Sequence, residues 1–235
     1  MDSSIIILSQ EQRKELTTIP ENISDYVMAK YYTLSEEDIY HIQTHRRDTN
    51  KLGFAIQLCC IKYPGWGFTS TKAIPEKVLN YVSKQLGISP INIHSYGERK
   101  NTRTKHIEEI CTWYGYRPFT STESQALEEY IEQKAIVSDE PFSLVKSGID
   151  FLRNNKIILP GITTIERIVR KVCISIESSL FSDIYSCLVP EQYKLLDKII
   201  DSQNEKVMTT LGMLRNVAGQ CSPQAFNDVA DKLKQ

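Results

Sequence analysis

Residues 41–65 change from polar to apolar halfway along, and this stretch constrains the fold more than any other part of the chain. The first half is polar and basic, whereas the second half is apolar until a Pro-Gly pair ends it. Phe54, Leu58 and Ile61 recur at the spacing of one helical face, so a helix from about Asn50 could bury that face. We therefore predict a helix anchored in a core, with cations held at its start. A core helix with a solvated basic lead-in is the alternative.

The rest of the chain also has helical periodicity, because almost no stretch alternates with a period of two. Ser9, Ser35 and Pro141 mark helix starts. Further starts are expected at Pro75, at Ser121 or Thr122, at Thr163 or Thr164, and at Ser222. The helix after Ser35 should end near Arg46. The longest helix should bury a stripe formed by Ile165, Ile168, Val169, Val172, Ile176 and Leu180.

The order of these helices predicts an all-α fold. Residues 1–116 and 117–190 should form two small helical bundles of helix-turn-helix type, and residues 191–235 should begin a further helical segment. The same pattern of helices and short turns also fits any small helical bundle.

Composition excludes several classes of protein. Hydrophobic residues at 41% and charged residues at 24% are ordinary for a globular protein, and no apolar run approaches the roughly 20 residues of a membrane helix. The start of the chain does not resemble a secretory signal, and the six cysteines form no CxxC pair, which favours reduced thiols in a cytoplasmic protein. His41 and His45 have helical i,i+4 spacing but no evident third ligand, so we predict neither a metal site nor a cofactor.

Positive charge is concentrated in three stretches of a chain whose formal net charge is −1. Residues 41–51 contain three Lys/Arg and one acid, residues 99–106 contain four Lys/Arg and no acid, and residues 153–171 contain five Lys/Arg and one acid. Separated basic stretches in a neutral chain indicate a charged face, for which nucleic acid is a natural partner. A solvated basic face without a partner is the other interpretation.

Four blocks of residues resemble the N-terminal region of replicative transposases of the Tn-three family. They read YYTLSEEDIYHI, RRDTNKLGFAIQLCCIKYPG, GYRPF and RNNKIILPGITTIERIV, in this order and at similar spacing. The resemblance covers about residues 5–200. It implies helical DNA-binding subdomains of a centromere-protein-B-like, helix-turn-helix kind that bind the terminal inverted repeats of the transposon. It also implies a bacterial, nucleoid-associated protein and self-association with full-length transposase.

In that family the catalytic part is an RNase H-like domain with two Asp and one Glu, which lies much later in the chain and has no counterpart here. We therefore expect a DNA-binding fragment that is not an enzyme and whose partner is double-stranded DNA at the transposon ends. The resemblance and the charge pattern together predict three DNA-facing sets of side chains. The first set is Arg46, Arg47, Asn50 and Lys51, with Arg153 and Lys156 nearby; the second is Arg99, Lys100, Arg103, Lys105 and His106; the third is Thr163, Thr164, Arg167, Arg170 and Lys171.

Two other functions compete with this one. The chain could be an all-helical scaffold for protein interaction or dimerisation, although the sequence has few apolar stripes beyond the predicted core. A truncated copy could also regulate transposition by competing for the same DNA ends. Acidic clusters at residues 36–38 and 108–109 could hold catalytic metal, but acids at helix starts and on solvated faces explain them better.

Overall fold

A computed structural model of the chain describes residues 7–67, 74–93, 95–96, 100–137 and 140–200. Within these residues the fold is all-α, which confirms the predicted class. The helices are α1 (Gln10–Thr17), α2 (Asp25–Tyr32), α3 (Glu36–Gln43), α4 (Asp48–Lys62), α5 (Glu76–Leu86), α6 (Lys100–Tyr114), α7 (Ser121–Ala135), α8 (Pro141–Asn154), α9 (Ile162–Cys187) and α10 (Pro190–Ile200), with a 3₁₀ turn at Pro90–Ile93. None of the described helices combines the length and the apolar character that crossing a bilayer requires.

Local capping chemistry explains where several helices begin and end. The hydroxyls of Ser9 and Ser35 accept hydrogen bonds from the backbone N–H groups of Gln12 and Asp38, whose side chains accept from the backbone N–H of each serine in return. Gly87 ends α5 in the left-handed region, with φ of 66°, where glycine has no steric penalty. These starts and this end confirm the sequence predictions.

Helix α4 is the centre of the first hydrophobic core. Every residue from Leu52 to Ile61 is buried, because α2, α3, α5 and α6 cover the helix from several sides. The helix anchored in a core is therefore confirmed, but it begins at Asp48 and is buried all round rather than on one face. We call this cluster the α4 core.

A second core lies between α7, α8 and α9. Its fully buried members include Leu127, Val145, Leu152 and Val169, and Leu8 joins them from the start of the chain. We call this cluster the α8 core.

Backbone hydrogen bonds join the two cores where three distant segments meet. The Leu159 N–H donates to the carbonyl of Gly65 at 3.0 Å, and the Ile158 N–H donates to the carbonyl of Arg117 at 2.9 Å. The Trp66 indole N–H adds a bond of 2.7 Å to the carbonyl of Pro160. We call residues 63–66, 114–117 and 153–160 the seam. The seam satisfies backbone groups that would otherwise need water as a partner. Because its hydrogen bonds run between segments of the two cores, it also connects the α4 core to the α8 core.

Several predicted boundaries differ from the structure by one turn or less. The helix after Ser35 ends at Gln43 rather than near Arg46, and Pro75 precedes α5 rather than opening it. Thr120 caps α7 in place of Ser121 or Thr122. Helix α9 begins at Ile162, so Thr163 and Thr164 lie in its first turn and are not its cap. The helix predicted after Ser222 falls outside the described residues.

The chain divides into two compact units, Met1–Glu177 and Ser178–Gln235, and both cores belong to the first. The boundaries predicted near residues 116 and 190 stay predictions. Leu180, predicted to be buried, is 56% exposed. In the second unit the Tyr193 hydroxyl donates to the carbonyl of Tyr185, and the two rings lie 4.8 Å apart.

Candidate nucleic-acid interface

Aromatic and histidine rings fix the geometry between the α3–α4 connection and α6. The ring of His106 lies 4.6 Å from that of His45 and 5.3 Å from that of Phe54, measured between centroids. The hydroxyl of Tyr96 lies 2.9 Å from Nδ1 of His106. Tyr96 reaches this position because it packs directly on Gly53, where a Cβ atom would lie 2.0 Å from the tyrosine ring. The start of α6 is therefore held against α4 by close ring packing.

A concave pocket of about 560 Å³ opens beside these rings. Its lining comes from the α3–α4 region and from one face of α6, and consists of His45, Asn50, Asn101, Thr102, Lys105, His106 and Glu109. The pocket therefore brings together members of the first and second predicted sets, which are about 50 residues apart in sequence.

The first set lies at the start of α4. Arg46 and Arg47 are exposed, and the carbonyl of Arg47 accepts hydrogen bonds from the backbone N–H groups of Asn50 and Lys51 at 2.9 Å each. The ammonium group of Lys51 donates to Gln43 at 2.7 Å. The two arginines thus project from a connection whose backbone is fixed by the first turn of α4.

The second set lies along the first two turns of α6, and its members differ in exposure. Lys105 is exposed and Arg103 is half-buried. Arg99 falls outside the described residues, and the side chain of Lys100 is not described. His106 is only 3% exposed, and burial, helped by the neighbouring His45, lowers its pKa to about 4. His106 is therefore a buried, neutral ring in the pocket wall, and its predicted contact with DNA stays a prediction.

Arg153 and Lys156 belong to the seam, where both donate to backbone carbonyls, and their predicted contact with DNA stays a prediction. The guanidinium group of Arg153 donates from Nε to the carbonyl of Pro64 at 2.7 Å, donates there again from Nη2, and lies 5.0 Å from the ring centroid of Tyr63. The ammonium group of Lys156 donates to the carbonyl of Tyr114 at 3.0 Å. Both cations are occupied by the fold itself.

The third set lies on the first three turns of α9. Thr163 and Arg167 are exposed, and Thr164 and Arg170 are half-buried. Lys171 forms an ion pair of 2.7 Å with Glu128 of α7. The carboxylate partly neutralises the ammonium group and so weakens its attraction for an anionic ligand. No member of this set lines the pocket beside His45 and His106.

Sequence reasoning did not name Asn101 or Thr102, and it considered Glu109 only as a member of an acidic cluster. Thr102, His106 and Glu109 are separated by four and three residues, which places them on one helical face. That spacing could have identified them. Only the structure shows that this face of α6 lies next to Asn50.

The pocket can recognise phosphate and polar edges of bases. Lys105 supplies a mobile ammonium donor, and the amides of Asn50 and Asn101 can both donate and accept hydrogen bonds. Amide side chains suit the paired donor and acceptor edge of adenine, whereas Lys and Arg suit phosphate.

Comparison with known proteins shows which family and which relatives the chain is similar to. The family described as a domain of unknown function, DUF4158, matches residues 7–172, a range that includes every buried member of both cores. The chain is 39% identical over 230 residues to a transposase for transposon Tn1546 from Enterococcus faecium. It is 30% identical over 229 residues to a transposase for transposon Tn501 from Pseudomonas aeruginosa. Each match covers 97% of this chain and 23% of the relative, so the chain spans about a quarter of the length of these proteins.

Proposed function

The chain belongs to the DUF4158 domain family and resembles the N-terminal region of Tn-three family transposases, and on this premise we propose that it binds the terminal inverted repeats of a transposon. It acts as a DNA-recognition region of a transposase and contributes to transposition through binding rather than through catalysis. Its partner is double-stranded DNA.

One observation supports this proposal: residues from two basic stretches distant in sequence line a single concave pocket, His45 and Asn50 from the first stretch and Lys105 from the second. Arg46 and Arg47 follow His45 in the sequence and are exposed. We assign phosphate contacts to these three cations, because phosphate contacts set affinity and register on a duplex. We assign contacts with base edges to Asn50 and Asn101, whose amides suit a donor and acceptor pair.

A second contact is assigned to the start of α9. Arg167 is exposed there, and the first turn of a helix presents unpaired backbone N–H groups that favour an anion. A long DNA end offers room for two contact surfaces spaced along the duplex, and each should contribute its own share of the salt dependence.

The test is a fluorescence anisotropy titration of a labelled duplex that carries the transposon end, against a scrambled duplex of equal length. We expect binding to the end at least about tenfold tighter than to the scrambled duplex, and a steep fall in affinity between about 50 and 200 mM salt. Equal affinity for both duplexes would refute the proposal that the chain recognises the transposon end.

Charge-reversed variants test whether each of the two surfaces contacts DNA. Arg46→Glu and Arg167→Glu should each weaken binding and reduce the slope of log affinity against log salt by about one. Lys146→Glu is the matched control, because Lys146 is exposed on α8 and belongs to none of the predicted sets. A loss with Lys146→Glu as large as that with Arg46→Glu would indicate attraction by overall charge alone.

Self-association is the second candidate function, and the second half of α9 favours it. Leu180, Phe181, Ile184 and Tyr185 are each more than half exposed and recur at the spacing of one helical face. We propose a second copy of the chain as the occupant of this face. Light scattering after size exclusion should give a dimer mass that Phe181→Glu converts to a monomer mass, and a monomeric wild type would reject the idea.

A further inference from the structure

Three potential metal ligands lie close together in the lining of the pocket. One nitrogen each from His45 and His106 and one carboxylate oxygen of Glu109 all lie within 4.8 Å of one another. His45 comes from the connection before α4, whereas His106 and Glu109 lie three residues apart on one face of α6. The three side chains therefore join two separate segments at one point.

Two of the three potential ligand residues have a buried polar atom without a hydrogen-bond partner among the described residues. Nε2 of His45 and Oε2 of Glu109 are both buried and make no hydrogen bond with the described residues, although they lie 3.4 Å apart. Buried polar atoms without partners are costly, and a bound cation would satisfy both at once.

The separation of these two atoms suits a tetrahedral metal centre. Metal bonds of about 2.0–2.1 Å to nitrogen and oxygen place neighbouring ligand atoms of a tetrahedron roughly 3.4 Å apart. His45 and Glu109 already have this spacing, with 3.4 Å between Nε2 and Oε2. His106 lies within 4.8 Å of both and completes a set of three.

His106 is oriented as a metal-binding histidine usually is. Its Nδ1 lies 2.9 Å from the hydroxyl of Tyr96, which fixes the ring and leaves Nε2 for a ligand bond. The open pocket gives a cation access from solvent.

We propose that His45, His106 and Glu109 bind one divalent cation of the zinc class, with water in the fourth position. Two imidazoles and one carboxylate match zinc rather than magnesium or calcium, which prefer sets made of oxygen atoms. The bound ion joins the α3–α4 connection to α6 and so fixes the two sides of the pocket. This site does not depend on the proposed DNA binding. The pair His41 and His45, which the sequence places four residues apart, is not the site, because the ring of His41 stacks on Trp113 at 4.3 Å.

The experiment uses the full chain after removal of metal by a chelator. Titration with cobalt(II) should saturate at one equivalent with the strong visible absorption of a tetrahedral centre, and zinc should displace the cobalt and remove that absorption. Saturating zinc should also raise the melting temperature, because a ligand that binds only the folded state stabilises it.

Variants separate this site from adventitious binding. Glu109→Gln keeps the side-chain volume but removes the charge, and with His45→Ala it should abolish the cobalt absorption while far-UV circular dichroism stays unchanged. Tyr96→Phe removes only the orienting hydroxyl and should weaken the affinity about 10–100-fold. His41→Ala is the control and should bind one equivalent like the wild type. No cobalt absorption in the wild type, or equal absorption in Glu109→Gln, would overturn the proposal.

Discussion

Replacing Arg153 with methionine tests whether this residue holds the seam together or contacts DNA. Methionine has a similar length and still covers the Tyr63 ring, but it has no donor for the carbonyl of Pro64. The variant therefore removes two charged hydrogen bonds to one carbonyl and leaves most of the apolar packing in place.

The expected loss of stability follows from these contacts. Loss of hydrogen bonds from a charged donor to a part-buried carbonyl costs about 1.5–3 kcal/mol, and loss of the cation–π contact adds about 0.5–1 kcal/mol. The ion pair of Arg153 with Asp150 spans 3.3 Å and is partly exposed, so it contributes little. We expect Arg153→Met to lower the free energy of unfolding by about 2–4 kcal/mol.

Urea unfolding followed by circular dichroism measures this loss as a lower midpoint at an unchanged m-value. Arg153→Lys should give an intermediate loss, because lysine keeps the charge but cannot form the same paired contact. Lys146→Met, on the exposed side of α8, should change stability by less than about 0.5 kcal/mol. The same small change for Arg153→Met, together with a reduced salt slope of DNA binding, would refute the structural role.

Two further predictions concern the α4 core. Gly53→Ala should destabilise the protein, because its Cβ would lie 2.0 Å from the Tyr96 ring and overpacking costs about 1–3 kcal/mol, more than the roughly 0.5–1 kcal/mol gained in helix propensity. Gly161→Ala, with its nearest neighbouring atom at 3.9 Å, is the control, and both are measured by urea unfolding. Asp38→Asn should cost about 2 kcal/mol at pH 7, because Asp38 is 2% exposed and lies 2.8 Å from the ammonium group of Lys62. Burial alone would raise the pKa of Asp38, but Lys62 and the Ser35 N–H outweigh it and hold that pKa below its ordinary value. The difference from wild type should therefore shrink as the pH falls below about 4, where the carboxylate of the unfolded chain begins to take up a proton. A difference that stays constant down to pH 2 would contradict this ionic origin.

The sequence predicted the helices well because helix starts are local events. Ser9, Ser35 and Gly87 act on atoms within four residues of themselves, so their roles can be read from short patterns. The all-α class and the resemblance to Tn-three family transposases are confirmed for the same reason: both rest on patterns contained in single stretches of chain.

The candidate site was harder to predict, because its geometry depends on contacts between distant residues. Nothing near Arg153 in the sequence indicates that its guanidinium group binds a carbonyl 89 residues away, and its charge alone suggested a DNA contact. His106 lies among four Lys/Arg residues, yet its ring is buried against Tyr96 and Phe54. The roles of the exposed cations Arg46, Lys105 and Arg167 in binding DNA stay predictions.

The seam has a consequence for how the chain is made. The hydrogen bond between Gly65 and Leu159 brings together residues 94 positions apart, and the loop that it closes costs roughly 3 kcal/mol more entropy than a contact spanning four residues. The helices of the α4 core can form earlier, because each of their bonds spans only four residues. During translation, the carbonyls of Pro64 and Gly65 must therefore rely on water until about residue 160 has left the ribosome. A chain that stops at residue 116 would never replace that water, and we expect its α4 core to be the less stable for it.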